Sequence, residues 1–456
     1  MIQTILNHRF FATLSLLLYA SLSGCDITPT AKLVSISGPV APIINGPIAI
    51  ANTNYKIIPL NTAVQLSAAK SSHTKNQSLR YLWTLIKKPI NSQLQWGSIE
   101  KTPLFTADVV GEYTIELVTY DDSKRYSKPF NIILTTHKTA RKPINFVALG
   151  DMGTGKQAQY DVANAIASVC QQQQCDFAIG LGDNIYNAGA RSVDDDQFIE
   201  KFEKPYQSLD MPFYMVLGNH DNSGLFAGDG GFNYRGNIEV LYTTKPNKPS
   251  QKWQMPSRYY TFSTPKKFPI IDFLALDSSA LTSLHDPTPH FALRRIMQQQ
   301  GEWIKNTLLG SQGQWKIAFA HHPYISNGRH GNAGQYDRVH ILPDNYFLKR
   351  IAGGYYKEFV EQYLCNKVDI IIAGHDHNLQ LLEPNSRCTK THFIVSGAGA
   401  KTTALGPTYN KAYWQTQSLG FFWLSATSDT IIIHAYTVND NHHTLAFRHL
   451  ISRNAH

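Results

Sequence analysis

The sequence predicts two folds in tandem, an all-β sandwich followed by a layered α/β domain. Three observations carry this. Between residues 26 and 142, short apolar and aromatic runs are separated by turn-rich stretches such as "SGPVAPIINGP". From residue 144 onward, strand-like apolar runs alternate with helix-like segments. Five of those later runs end abruptly in Asp, Asn or His.

The N-terminus reads as an export signal. "MIQTILNHR" precedes the apolar core "FFATLSLLLYASL", which is too short to span a bilayer comfortably. "LSGC" at residues 22–25 resembles the lipobox of bacterial lipoproteins. That resemblance implies a signal over residues 1–25 and a lipid on Cys25. It places the protein in the cell envelope, on the periplasmic face, with simple secretion as the alternative.

Residues 26–142 follow. "YLWTLI", "GEYTIELVTYDD" and "FNIILTT" are strands of a sandwich, and "THKTARKP" is its exit linker. The region resembles PKD-type and related immunoglobulin-like modules. Trp83 is its expected core anchor. The implied role is spacing or adhesion, with other envelope or extracellular molecules as partners.

In the second region, 143–456, "INFVALGD", "CDFAIGLGD", "PFYMVLGNHD", "IDFLALDSS", "WKIAFAHHP" and "VDIIIAGHDH" read as strands. "KQAQYDVANAIASV" and "LRRIMQQQGEWIKNTLLG" read as helices. Residues 222–257 read as a pocket-shaping loop. "HFIVSGAG", "FFWLSA", "TIIIHAYTV" and "HTLAFRHL" form a β-rich C-terminal stretch.

Lys plus Arg number 42 against 33 Asp plus Glu, without a basic run. No nucleic-acid partner is expected, though the excess mildly favours phosphorylated substrates. Cys170, Cys175, Cys365 and Cys388 remain beyond Cys25. An even number in an exported chain implies two disulfides with three possible pairings. The local one, 170–175 and 365–388, is expected.

The polar strand ends are Asp151, Asp183 with Tyr186, Asn219 with His220 and Asp221, His321, and His375 with His377. Ligands of open α/β sheets bind beyond the carboxyl ends of strands, so five segments converge on one rim. Any one of them alone is an ordinary turn, cap or core histidine. Together they offer O and N donors suited to iron, zinc or manganese, enough for two ions that clamp a phosphoryl group.

The order GD…GDxxY…GNHD…H…GHxH resembles the purple acid phosphatases among the calcineurin-like metallophosphoesterases, in particular the small, tartrate-resistant type. The likeness covers residues 144–456. It implies a four-layer α/β/β/α sandwich and hydrolysis of phosphate monoesters by in-line attack of a metal-bound hydroxide. Substrates would be phosphorylated small molecules or phosphoproteins. Asp151, Tyr186 and His377 would hold Fe3+. Asn219, His321 and His375 would hold a divalent ion (Fe2+, Zn2+ or Mn2+), with Asp183 bridging. Many relatives carry His where Gly153 stands, and Tyr186 replaces that ligand.

The same resemblance implies that His220 bonds the phosphate and protonates the leaving oxygen, oriented by Asp221. It puts His330 near the phosphate pocket, and Asn219, His322 and Arg329 on the substrate side. Arg329 departs from the pattern of the animal enzymes, which often carry Glu, and offers a grip for an anionic substrate. A phosphodiesterase or nucleotide hydrolase on the same site is the rival reading. An adhesion lipoprotein with a degenerate enzyme is the more distant one. Removing residues 26–142 separates the last from the others: the enzyme readings expect phosphoester turnover to survive, and the adhesion reading expects function to vanish.

Overall fold

Phe146 and Phe177 meet Phe273 edge to face, with ring centroids 5.2 and 5.5 Å apart, and this contact joins two seven-stranded sheets. The computed structural model describes residues 46–453 except 138–141, 232, 284–289, 340, 342–344, 407–408 and 441. Cys25 and the expected export signal, residues 1–25, lie outside the described residues.

The first sheet runs Trp253–Gln254, Phe213–Met215, Phe177–Gly180, Ile144–Leu149, Leu419–Ala426, Thr430–Asn439, His442–Ser452. Its first four strands are parallel and the last three antiparallel. The second runs Tyr260–Thr264, Ile271–Ala275, Trp315–Phe319, Ile370–Ala373, His392–Ser396, Leu379–Leu382, Ala412–Thr416, parallel from the second to the fifth. Central strands are buried along their whole length, as in "INFVAL" and "IIIA". They are covered on both sides, which is why they read as unbroken apolar runs.

Helix Gln157–Gln173 covers the outer face of the first sheet with Val162, Ile166 and Val169. Ile304, from helix His290–Leu309, and Phe359 and Val360, from helix Gly354–Tyr363, pack with Ile371 on the second. The layers are therefore helix, sheet, sheet, helix, as the resemblance implied.

Residues 222–257 are not a plain loop. They contain helix Asn233–Tyr242 and strand Trp253–Gln254. The helix includes Gly236 and β-branched residues, so its local signal is weak. Tertiary contacts decide it: Tyr242 stacks on Phe198 at 3.7 Å, and the Trp253 indole donates to the Glu239 carbonyl. Helix Gly354–Tyr363 was equally unmarked.

The N-terminal region is all β. Its main sheet runs Tyr55–Pro59, Phe130–His137, Gly111–Tyr120, Arg80–Lys87, Gly97–Ser98, beside two two-stranded sheets. Tyr113, Ile115 and Leu117 alternate inward along one strand. Trp83 is buried among them, its indole donating to the Glu100 carbonyl. The region rests on the edge of the first sheet. Tyr55 meets the His434 ring at 4.5 Å, and Arg448 reaches Glu112 at 3.8 Å.

Cys170 is bonded to Cys175 and Cys365 to Cys388. Among the described residues no helix is long and apolar enough to cross a membrane.

His434 lies buried between Trp423 and Tyr55, and neither ring nitrogen has a hydrogen-bond partner among the described residues. Burial, aided by the Arg448 charge, pushes its pKa down to about 3. The unfolded chain, with an ordinary imidazole, takes up the proton first as pH falls. Stability from this group is therefore complete above about pH 6.5. It is lost toward pH 3 at up to roughly 1.4 kcal/mol per unit. His434→Phe should flatten that part of the melting temperature–pH curve relative to wild type. Parallel curves would contradict it.

Candidate active site

Five of the parallel strands deliver a polar residue within a few positions of their carboxyl ends. Asp151 follows Ile144–Leu149, Asp183 follows Phe177–Gly180, and Asn219 follows Phe213–Met215. His321 follows Trp315–Phe319, and His375 follows Ile370–Ala373. Asp151, Asp183 and His375 all adopt left-handed backbone, with φ of 57°, 54° and 68°. Non-glycine residues hold that conformation at a cost that surrounding bonds must offset. The His375 N–H donates to Asp151 and the His220 N–H to Asp183, at 2.8 and 2.9 Å, and these bonds tie the loops together.

Two groups of donors result. In the first, the Tyr186 hydroxyl donates to Asp151 Oδ1 at 3.0 Å, and His377 Nε2 lies 3.3 Å from both. In the second, His321 Nε2 lies 2.8 Å from Asn219 Oδ1 and 3.1 Å from His375 Nδ1. Asp183 stands between the groups, 3.5 Å from His321 Nε2 and hydrogen-bonded to Tyr186. His375 and His377 thus face different groups.

The donor set fits metal ions. Nδ1 of His321 is taken by the Leu181 carbonyl at 2.8 Å, so when the ring is neutral its lone pair on Nε2 faces Asn219 Oδ1. Two acceptors in contact are satisfied by a cation between them. Bonds of about 2.1 Å to one ion place ligand atoms roughly 3.0–3.4 Å apart, the scale of the spacings here. Asp151, Asp183 and His321 also converge as a buried group. Burial raises the Asp183 carboxyl, but the His321 and His220 charges outweigh it and hold it well below the usual range. Burial, with Asp151 and Asp183, pushes the Tyr186 phenol far up.

Gly153 explains the ligand exchange. A Cβ there would lie 1.8 Å from the Asn184 carbonyl oxygen, so no side chain fits. The loop that brings Tyr186 occupies that space.

Asp221 does not orient the His220 ring. Its buried carboxylate accepts from the backbone N–H groups of Asn184, Ile185 and Gly218 and from the Asn184 amide. It braces two metal-site loops, while His220 Nδ1 is held by the Asn187 carbonyl at 2.6 Å. His322 is not on the substrate side either. It is buried, with Ser278 and Thr282 hydroxyls on its two nitrogens, and supports the His375 ring at 4.6 Å. His330 packs 4.2 Å from His375, with Nδ1 2.8 Å from Asp337. Arg329 is exposed at the mouth.

Five residues at the site were not anticipated. Asn184 bonds both Asp221 and Glu239, each at 3.1 Å. Burial, reinforced by Asp221, pushes the Glu239 carboxyl well up. Asp376, inside "HDH", accepts from the His330 N–H and the Ser326 hydroxyl. Asp337 holds His330. The Lys401 ammonium lies 3.3 Å from the Tyr186 ring centroid. Only Asn184 and Asp376, adjacent to ligands, carried any sequence signal.

A chain with this fold and rim is a phosphoesterase by class, and it belongs to the calcineurin-like phosphoesterases, whose profile matches residues 144–379. It is 29% identical to tartrate-resistant acid phosphatase type 5 of Mus musculus over 286 residues, 58% of this chain and 76% of that protein. It is 28% identical to purple acid phosphatase 7 of Arabidopsis thaliana over 319 residues, 65% of this chain and 84% of that protein. In three dimensions it matches GAP50, the anchor in the inner membrane complex of Plasmodium, with a TM-score of 0.53 at 19% identity. That match spans 68% of this chain and 89% of the other, and shows the fold.

Gly153→Ala tests the ligand exchange. Overpacking of this kind costs about 1–3 kcal/mol. Here the displaced atoms carry Tyr186, so bound metal measured by elemental analysis should fall well below wild type while the disulfide-bonded fold remains. Unchanged metal content would refute the steric account.

Proposed function

We propose that this protein is a dinuclear-metal phosphatase that hydrolyses phosphate monoesters in the manner of the purple acid phosphatases. The observation that carries the reading is the pair of donor groups joined by Asp183 at one rim. Asp151, Tyr186 and His377 would hold Fe3+. Asn219, His321 and His375 would hold Fe2+, Zn2+ or Mn2+, and Asp183 both. When bound, the two ions supply Lewis acidity to the phosphoryl oxygens and lower the pKa of a water.

The chain's own residues do the rest. The Asn187 carbonyl fixes His220 Nδ1–H, which turns Nε2 toward the centre, 3.9 Å from Asp183. From there the imidazolium can hand its Nε2 proton to the leaving oxygen. Gly228 leaves room for that ring: a Cβ there would come within 2.7 Å of it. Lys401, over the Tyr186 ring, and His330, against the His375 ring, add basic side chains beside the two donor groups. No protein nucleophile is required.

The same proposal takes the protein to be exported and held in the envelope by lipid on Cys25, supported by "LSGC". Residues 26–142 are then a PKD-type spacer, supported by the β architecture of their described part.

Four measurements test the assignment. The protein purified without chelator should show a broad visible charge-transfer band that Tyr186→Phe abolishes. A colourless, metal-loaded wild type would replace Fe3+ by zinc or manganese. Asp183→Ala should bind neither ion and reduce turnover to background; retained activity in that variant would refute the centre. His220→Asn should keep its metals but lower kcat about 10²–10⁴-fold, most strongly for poor leaving groups. Alkyl diesters should be turned over far more slowly than the matching monoesters.

A further inference from the structure

A cleft of about 1000 Å³ opens beside the metal site. Its wall includes His330, whose ring packs on His375, and Thr403, whose N–H donates to the His377 carbonyl. The cleft therefore borders the centre, with His330 and Thr403 between the two, and a volume of this size accommodates a substituent as large as a sugar or nucleoside.

Three charged side chains besides His330 line it: Arg329, Asp337 and Arg338. Asp337 is engaged by His330 at 2.8 Å. Neither arginine forms an ion pair among the described residues. They lie nine residues apart in sequence, and Asp337 and Arg338 are held in left-handed backbone, φ 51° and 60°. The Asp337 N–H donates to the carbonyl of His330, the residue after Arg329, at 3.0 Å, and that of Arg338 to Gln335 at 3.0 Å. These bonds tie the two segments together, and both guanidiniums line one cleft. Tyr409, 81% exposed, stands on the cleft's far wall.

Resting on the phosphatase reading, we propose that Arg329 and Arg338 are specificity-determining residues that bind a second phosphate, carried by the leaving group. The substrate class is then small bisphosphorylated molecules rather than simple monoesters. The scissile phosphate occupies the metal centre, so whatever reaches the arginines belongs to the part of the substrate that departs. Guanidinium forks match phosphate oxygens in pairs, and two of them distinguish a dianion from a hydroxyl. Exposure makes the grip salt-sensitive.

The test uses the full, metal-loaded chain and two non-hydrolysable probes. One is an alkane with a phosphonate at each end. The other is the same alkane with one phosphonate. Calorimetry should show the bisphosphonate binding at least about tenfold tighter, a difference that shrinks at high salt. Arg329→Ala with Arg338→Ala should erase the difference, and Arg338→Glu alone should reduce it. Equal affinities in the wild type, or a preference that survives the double substitution, would overturn the proposal. Turnover of phenyl phosphate is measured in parallel. If it is absent, the phosphatase reading fails; if it is present while the two probes bind alike, only the role of the arginines fails.

Discussion

Two carboxylates, Asp151 and Asp183, are buried at the junction of two sheets and face imidazole nitrogens. Burying charge that way is unfavourable unless opposite charge is present. Much else in the catalytic half serves this one constraint. Left-handed backbone turns the ligands inward, main-chain N–H groups anchor the carboxylates, and Asp221 braces the loops from behind. The site is a preformed negative cavity in which cations complete the structure as well as the chemistry.

The constraint also explains what was legible in advance. A polar residue closing a wholly apolar strand stands out, so Asp151, Asp183, Asn219, His321 and His375 announced themselves. Tyr186 was found through its spacing from Asp183 within a recognised pattern. Asp221 was found but misread, because its partners are backbone N–H groups that have no residue-type signature. Glu239 was hidden in a helix with weak propensity, and Lys401 in a segment outside any strand. His322 looked like a substrate contact beside His321. Its burial against Ser278 and Thr282 depends on chain crossings that no local pattern encodes.

Where the two halves of the chain meet, the contact includes aromatic and charged groups as well as apolar Ile57. Tyr55, His434, Arg448 and Glu112 place aromatic and charged groups together at the sheet edge. The contact lies on the outer antiparallel strands, whereas the converging Asp, Asn and His residues follow the parallel ones. The β-sandwich can therefore position the enzyme without touching its chemistry.

The first strand of the catalytic sheet pairs on one side with Leu419–Ala426, near the far end of the chain. Ile144 is registered against Ala426 and Phe146 against Leu424. During synthesis, or during emergence through a translocation channel, the N-terminal β-sandwich can close early. The strand that leads into Asp151 must wait for residues 419–426 to complete its pairing. Assembly order thus delays closure of the metal-binding cavity until residues 419–426 are available.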